Sequence, residues 1–350
     1  MLYWILKNSI HLGLYCYHKK IEVHGLENIP KNKPVLFLPN HQNALIDVLL
    51  VGVDCNRKPY FLARSDVFGG RILNTLFNYV RMIPIYRIRD GRNTLSKNDA
   101  VFDSCAQVLG RGKAIVMFPE GNHSLKRRVR PLSKGFTRVL FRALERSPEL
   151  DIQLIPVGLN YLHAEQFPDS ATLYYGTPIS VQALYDKEDA QGSIVRIKEA
   201  VASQLKTLTT HISPKIQYAE ITKYLEAKNV DFLDPIKTNH AVKQGIIATS
   251  VVVEAEQFRS KQHSLFQSIF LFLNFPVILF WRLVVKPKVP EAEFMGTFRF
   301  AASFLGFFVY YSMLLTVFTN VFNFWWALGC IGFLSIFNLG YVKLQRLNQF

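Results

Sequence analysis

Cysteine is scarce: the 350 residues include four, Cys16, Cys55, Cys105 and Cys330. They are widely separated, with no CxxC pair and no Cys/His spacing of a zinc site, which argues against a disulfide framework or a zinc module. They read as reduced thiols packed like small hydrophobes. Acidic residues are also few. The 26 Asp and Glu stand against 41 Lys and Arg, a formal net charge of +15. Such an excess favours anionic partners. The cations form no long run and no nucleic-acid-binding signature is present, so nucleic acid is not the expected partner. An anionic phospholipid membrane is, because each basic residue near such a leaflet contributes on the order of 1 kcal/mol. The N-terminus lacks the basic start and small-residue cleavage site of a signal peptide.

What the sequence does have is apolar and aromatic side chains: 49% hydrophobic residues, 28 Phe and 15 Tyr. Residues 1–19 are apolar with an aromatic and basic rim (Tyr15, Tyr17, His18, Lys19), as in an interfacial membrane helix. Residues 20–215 alternate short apolar runs with helical stretches. Strands are expected at Ile21–Val23, Val35–Leu38, Pro59–Ala63, Ile83–Tyr86, Ala114–Phe118, Leu154–Gly158 and Leu173–Tyr175. Helices are expected at Ala44–Val53, Ile72–Tyr79, Leu95–Leu109 and Lys134–Arg146. That alternation predicts an α/β domain with a mixed, largely parallel sheet flanked by helices. Its site should lie in loops beyond the strand ends.

Residues 216–263 read as a charged helical connector without chemistry of its own. Residues 264–350 read as a membrane segment. Ser264–Trp281 carries no charge, and after Arg299 none recurs until Lys343. The second tract is about twice the roughly 20 residues that one spanning helix needs. It predicts a hairpin, Phe300–Thr319 and Phe324–Val342, turning near Asn320 and Asn323. Asn274 and Pro276 interrupt the first stretch, which is read as re-entrant. The basic flanks (Arg259, Lys261, Arg282, Lys286, Lys288, Arg299, Lys343, Arg346) then fall on one side, making the α/β domain cytoplasmic. All the motifs described next precede this segment, so its removal is expected to weaken membrane attachment and leave the site intact.

Four short segments of the α/β domain carry the chemistry. In Leu38–Asp47 a strand ends at Pro39, a polar turn delivers His41, and Asp47 follows in the first turns of a helix. A carboxylate on one imidazole nitrogen leaves the other free to accept a proton. The two meet only if the backbone curls between them. Arg81–Arg87 is a strand running into a basic turn, and the Arg fork suits phosphate. Val116–Ser124 is a buried strand ending in Pro119-Glu120-Gly121, followed by Lys126, Arg127, Arg128, Arg130 and Lys134, which reads as a phosphate-binding loop. Leu154–Gly158 is a core strand containing Pro156.

In this order the segments resemble the four blocks of the glycerolphosphate and lysophosphatidic acid acyltransferase superfamily: His-x4-Asp, a strand ending in Arg, Phe-Pro-Glu-Gly and a hydrophobic Pro strand. The resemblance runs from Lys20-Ile21-Glu22-Val23-His24-Gly25 to Tyr175-Gly176-Thr177-Pro178-Ile179. There are departures. Five residues, not four, separate His41 from Asp47, as in members related to the yeast-type glycerol-3-phosphate acyltransferases; Arg81 replaces a usual Gly, and Tyr86 a frequent Asp.

The resemblance implies the glycerolphosphate acyltransferase fold and an O-acyltransferase of phospholipid biosynthesis. His41 would be general base and Asp47 its orienter. Arg87, Glu120, Gly121, Arg127, Arg128 and Lys134 would surround the acceptor phosphate or glycerol, and Pro119 and Pro156 would shape the strands beneath. The acceptor would be glycerol 3-phosphate or 1-acylglycerol 3-phosphate, and the co-substrate acyl-CoA or acyl carrier protein. No metal and no other cofactor is implied. Three other readings are possible: an acyltransferase on another hydroxylated lipid such as an aminolipid, a non-catalytic anionic-lipid-binding membrane protein of the same fold, and a metal-dependent phosphohydrolase using His41, Asp47 and His123. A non-catalytic tether has no use for a base, and the spacing suggests no carboxylate cluster for a metal.

Overall fold

The structure, a computed structural model, describes residues 2–68, 70–86, 97–213, 217–248 and 265–344. Its strands are β1 (Lys20–His24), β2 (Val35–Pro39), β3 (Tyr60–Arg64), β4 (Met82–Ile85), β5 (Ala114–Val116), β6 (Gln153–Tyr161), β7 (Ser170–Tyr175) and β8 (Ile179–Ser180). The helices are α1 (Leu2–Tyr17), α2 (Ala44–Asp54), α3 (Arg71–Tyr79), α4 (Lys97–Gly110), α5 (Gly135–Arg146), α6 (Ala190–Leu208), α7 (Tyr218–Ala227), α8 (Pro235–Ala248), α9 (Leu265–Leu273), α10 (Phe275–Phe280), α11 (Met295–Val321) and α12 (Phe324–Leu344).

The strands form one sheet in the order β1-β7-β6-β2-β5-β3-β4, with β8 also paired to β6. The pairs β1–β7, β2–β6, β2–β5, β3–β5 and β3–β4 are parallel, while β6 runs antiparallel to β7 and β8. The fold is therefore α/β with a mixed, mostly parallel sheet flanked by helices. β2 and β6 are buried along their whole lengths, which is why they read as continuous apolar runs. Successive side chains of β2 enter opposite layers. Leu36 and Leu38 pack with Phe102, Cys105, Phe136 and Leu140 of α4 and α5, and Val35 and Phe37 with Leu14, Ile46 and Leu50 of α1 and α2. The carboxyl ends of β2, β3 and β5 all open on one edge, beyond which the site lies.

α7 and α8 pack against the domain through Ile221, Leu225, Phe232 and Val242, which meet Leu162 at the end of β6. Residues 249–264, the last third of the expected connector and the first residue of the apolar stretch, lie outside the described residues.

Two helices, Ala292–Val321 and Phe324–Leu344, are long and apolar enough to cross a membrane. Large side chains along them face outward, among them Phe308, Trp325, Trp326 and Ile336. The preceding stretch bends by 82° between Leu265–Leu273 and Phe275–Lys288. The break is at Asn274. Its side chain exchanges two hydrogen bonds with Asn338 (2.7 and 2.8 Å), and Asn338 also donates to the Tyr311 hydroxyl (3.0 Å). Amides buried among apolar helices require such partners.

Both ends of the hairpin meet the α/β domain. Thr297 Oγ1, at the start of α11, accepts from the Leu45 backbone N–H (3.1 Å), and Lys343 Nζ, at the end of α12, donates to the Tyr15 and His18 carbonyls. The Phe322–Asn323 turn is thus at the far end. The start of α11 therefore packs on the turn that carries His41.

Candidate active site

β2 ends in a zip to β6: Asn40 accepts from Leu159 N–H (2.7 Å) and donates to Leu159 O (3.1 Å). The chain then curls. Asn43 sits at φ −125°, ψ 51°, and Ala44 at φ +36°, a positive value uncommon for a residue with a Cβ. The curl swings α2 back so that Asp47 lies beneath His41 in spite of the five intervening residues. Asp47 is 0% exposed. Its Oδ2 accepts from His41 Nδ1, Gln42 N–H and Asn43 N–H, each at 2.8 Å. Its Oδ1 accepts from the Tyr161 hydroxyl at 2.5 Å. The carboxylate thus sits at a helix N-terminus among donors, where negative charge is favoured.

With Nδ1 donating to a carboxylate, His41 keeps Nε2 as its basic nitrogen. The ring is stacked on Phe118 (centroids 4.0 Å apart) and stands edge-on to His123 (5.6 Å). The His41 side chain is 14% exposed, so it is reachable yet held on two sides. Burial and then Asp47 push the Tyr161 phenol well above its ordinary range, so it remains a donor.

Glu120 commits both oxygens to Arg130, accepting from its backbone N–H (3.0 Å) and twice from its guanidinium (3.0 and 2.7 Å). Burial raises its carboxyl pKa and Arg130 works against that rise. Arg130 also donates to the Asn122 carbonyl, and Ser124 N–H to the His41 carbonyl (3.0 Å), closing the loop over the histidine. Gly121 turns the chain at φ +71°, where most side chains are strained. Pro119 O accepts from Ser133 N–H (2.7 Å), tying the loop to the start of α5. Pro156 lies opposite Leu38 of β2, and its carbonyl accepts from Gly176 N–H.

The basic residues are not all gathered at His41. Arg127 donates to the Tyr161 and Leu162 carbonyls (2.8 and 2.7 Å) and lies 3.8 Å over the Phe232 ring, half-buried. Arg128 lies over Tyr218 (5.4 Å), its buried Nε without a hydrogen-bond partner among the described residues. Lys134 stands exposed immediately before α5. Arg87 lies outside the described residues.

Several neighbours escape a reading of local motifs. Tyr161 shares the face of β6 with Val157 and Leu159, so the two-residue period was its only signal. Glu291, Glu293 and Phe294 come from the approach to α11: the Phe294 ring meets His123 (4.7 Å) and Glu293 accepts from Leu125 N–H (3.4 Å). His123 is buried. Burial and then the neighbouring His41 hold its imidazole below the ordinary pKa, toward the neutral form.

A charge-oriented imidazole at the lip of a parallel sheet, beside two candidate membrane helices, can deprotonate a hydroxyl presented from the bilayer surface. Residues 20–160 match the family model described as Acyltransferase. An uncharacterized acyltransferase of Schizosaccharomyces pombe is 30% identical over 111 residues, 29% of this chain and 16% of that protein. Glycerol-3-phosphate O-acyltransferase 1 of Saccharomyces cerevisiae is 19% identical over 45% of this chain and 20% of its own length. A chloroplastic 1-acyl-sn-glycerol-3-phosphate acyltransferase of Brassica napus is 25% identical over 38% of this chain and 37% of its own. The chain thus spans well under half the length of these relatives. A solved structure, the 1-acyl-sn-glycerophosphate acyltransferase of Thermotoga maritima, aligns with 53% of this chain and 72% of its own at a TM-score of 0.37 and 19% identity. Residues 20–160 are thus similar to the acyltransferase family.

Proposed function

We propose that the protein moves a fatty acyl group from an acyl thioester, acyl-CoA or acyl carrier protein, to a hydroxyl of glycerol 3-phosphate or 1-acylglycerol 3-phosphate. His41 Nε2 takes the hydroxyl proton as that oxygen attacks the thioester carbonyl. The tetrahedral intermediate collapses, the ester forms and the thiolate leaves. The proton on His41 then goes to the thiolate, which regenerates the base. Asp47 holds the tautomer and stabilises the imidazolium between these transfers. No covalent acyl-enzyme is needed.

The observation that carries this reading is the Asp47 carboxylate, fully buried and donor-saturated, aimed at His41 Nδ1. The acceptor assignment rests on the relatives named for those two acceptors and on the net positive charge, which favours phosphorylated and thioester-carrier substrates alike. The catalytic domain is assigned to the cytoplasmic side, where basic flanks are retained. Purified protein in detergent, a labelled acyl thioester and a panel of acceptors test the proposal. Labelled ester should form on a glycerol-phosphate acceptor and not on its dephosphorylated analogue. Transfer only to phosphate-free hydroxyl lipids would refute the acceptor class.

A further inference from the structure

We propose that His123, Glu291 and Glu293 form a divalent-cation site at the rim of the His41 pocket. Their donor atoms, one from each residue, lie within 4.8 Å of one another. Bonds of about 2.0–2.2 Å to a shared ion place its donors about 3–4.4 Å apart. His123 Nδ1 and Glu291 Oε2 are 3.8 Å apart, inside that range and too far for a hydrogen bond. The Glu291 side chain is 60% exposed and free to swing onto an ion.

Acidic pairs at a surface are common, and His123 is what sets this one apart. It is 9% exposed, and its Nδ1 is buried with no hydrogen-bond partner among the described residues. Buried imidazole nitrogens ordinarily have partners. The ring is fixed edge-on between Phe294 and His41, so Nδ1 is held toward the carboxylates. Glu293 is oriented in turn by the Leu125 N–H on Oε1. One imidazole and two carboxylates make a mixed nitrogen–oxygen set suited to a six-coordinate ion such as Mn²⁺ or Mg²⁺, with further positions open to water or phosphate oxygens. Spacing along the sequence could not show the cluster, because the carboxylates reach His123 only when the start of α11 docks on the catalytic turn.

A cation held there stands one side chain from His41, placed to grip the acceptor phosphate while His41 works on the hydroxyl. That role rests on the acyltransferase reading; the binding itself does not. The test is therefore made without substrate. Mn²⁺ is titrated into the full-length protein in detergent, and the loss of the free-ion electron paramagnetic resonance signal is followed. One saturable site per chain is expected. Loss of one second-shell partner already weakens a metal site about 10–100-fold, so Glu291→Gln and Glu293→Gln should each weaken binding at least about tenfold. Glu291→Gln, at an exposed position, should melt in metal-free buffer at the wild-type temperature. Asp47→Asn, which keeps the His41 ring beside His123, should bind Mn²⁺ as the wild type does while losing turnover, which separates this site from the base. Absence of saturable binding, wild-type affinity in both Gln variants, or loss of binding in Asp47→Asn would each overturn the proposal.

Discussion

The Tyr161 hydroxyl donates to Asp47 Oδ1 over 2.5 Å, 114 residues away in sequence and fully buried. The end of β6 thereby fixes the carboxylate that orients His41 on β2's loop. Tyr161→Phe removes the donor and leaves Oδ1 without it. Hydrogen bonds to charged groups contribute about 1.5–3 kcal/mol, so a loss of stability of that order is expected. Turnover should fall about tenfold, if roughly half of that interaction acts in the transition state, with acceptor KM little changed. Wild-type kcat in a variant of lowered stability would make Tyr161 a packing residue alone.

Arg127 and Arg128 are neighbours with opposite assignments. Arg127 holds the Tyr161 and Leu162 carbonyls and the Phe232 ring, so Arg127→Ala should destabilise the protein by about 2–4 kcal/mol, mainly by leaving those part-buried acceptors unpaired. The activity that survives should show an unchanged KM for the phosphorylated acceptor. Arg128→Ala should raise that KM more than the KM for the acyl donor. Denaturation midpoints and steady-state kinetics on the pair distinguish the roles, and the reverse pattern would exchange them.

Asp169 supplies a pH dependence unrelated to catalysis. Burial, partly offset by backbone N–H donors and Arg127, raises its pKa from 3.8 to about 7. Between those values the folded state holds a proton that the unfolded state has released, so stability falls as pH rises through that window and is lowest above about pH 7. Asp169→Asn keeps an oxygen for the His163 N–H and carries no charge to bury. Its melting temperature relative to wild type should rise from pH 5 to pH 8. A constant difference across that range would contradict the assignment.

Gly296 ties the membrane segment to the catalytic turn. A Cβ there would stand 2.6 Å from Asn43 Oδ1 and 3.2 Å from the Ala164 carbonyl, to which Asn43 Nδ2 donates. Asn43 N–H is also a donor to Asp47. Gly296→Val should therefore lower kcat several-fold while the protein still sediments with membranes. Unaltered turnover would show that the hairpin is an anchor only.

Much of this architecture is visible in the sequence because burial on both faces writes apolar runs. β2, β5 and β6 are such runs, and each begins or ends within a few residues of its expected bounds. The two-residue strand β8 is too short to leave a pattern. α6 does leave one, Ile197, Val201 and Leu205 at successive turns, beyond the last of the motifs. His41 and Asp47 were legible as a pair, but not the positive φ of Ala44 that joins them. Arg127 looked like a phosphate ligand because spacing cannot say which way a side chain turns. Tyr161, Glu291, Glu293 and Phe294 reach the site by tertiary packing alone, which no local spacing records.

Removing the His41 imidazole tests its role as general base. In His41→Ala, Asp47 keeps the Gln42, Asn43 and Tyr161 donors, so the fold should survive and the melting temperature should stay near that of the wild type. The measurement is kcat for transfer from a labelled acyl thioester to glycerol 3-phosphate or 1-acylglycerol 3-phosphate, with the acceptor dissociation constant taken from equilibrium binding. kcat should fall by about 10²–10⁴ with acceptor affinity nearly unchanged, because a base acts on the transition state. Near-normal kcat in the folded variant would remove His41 from the mechanism.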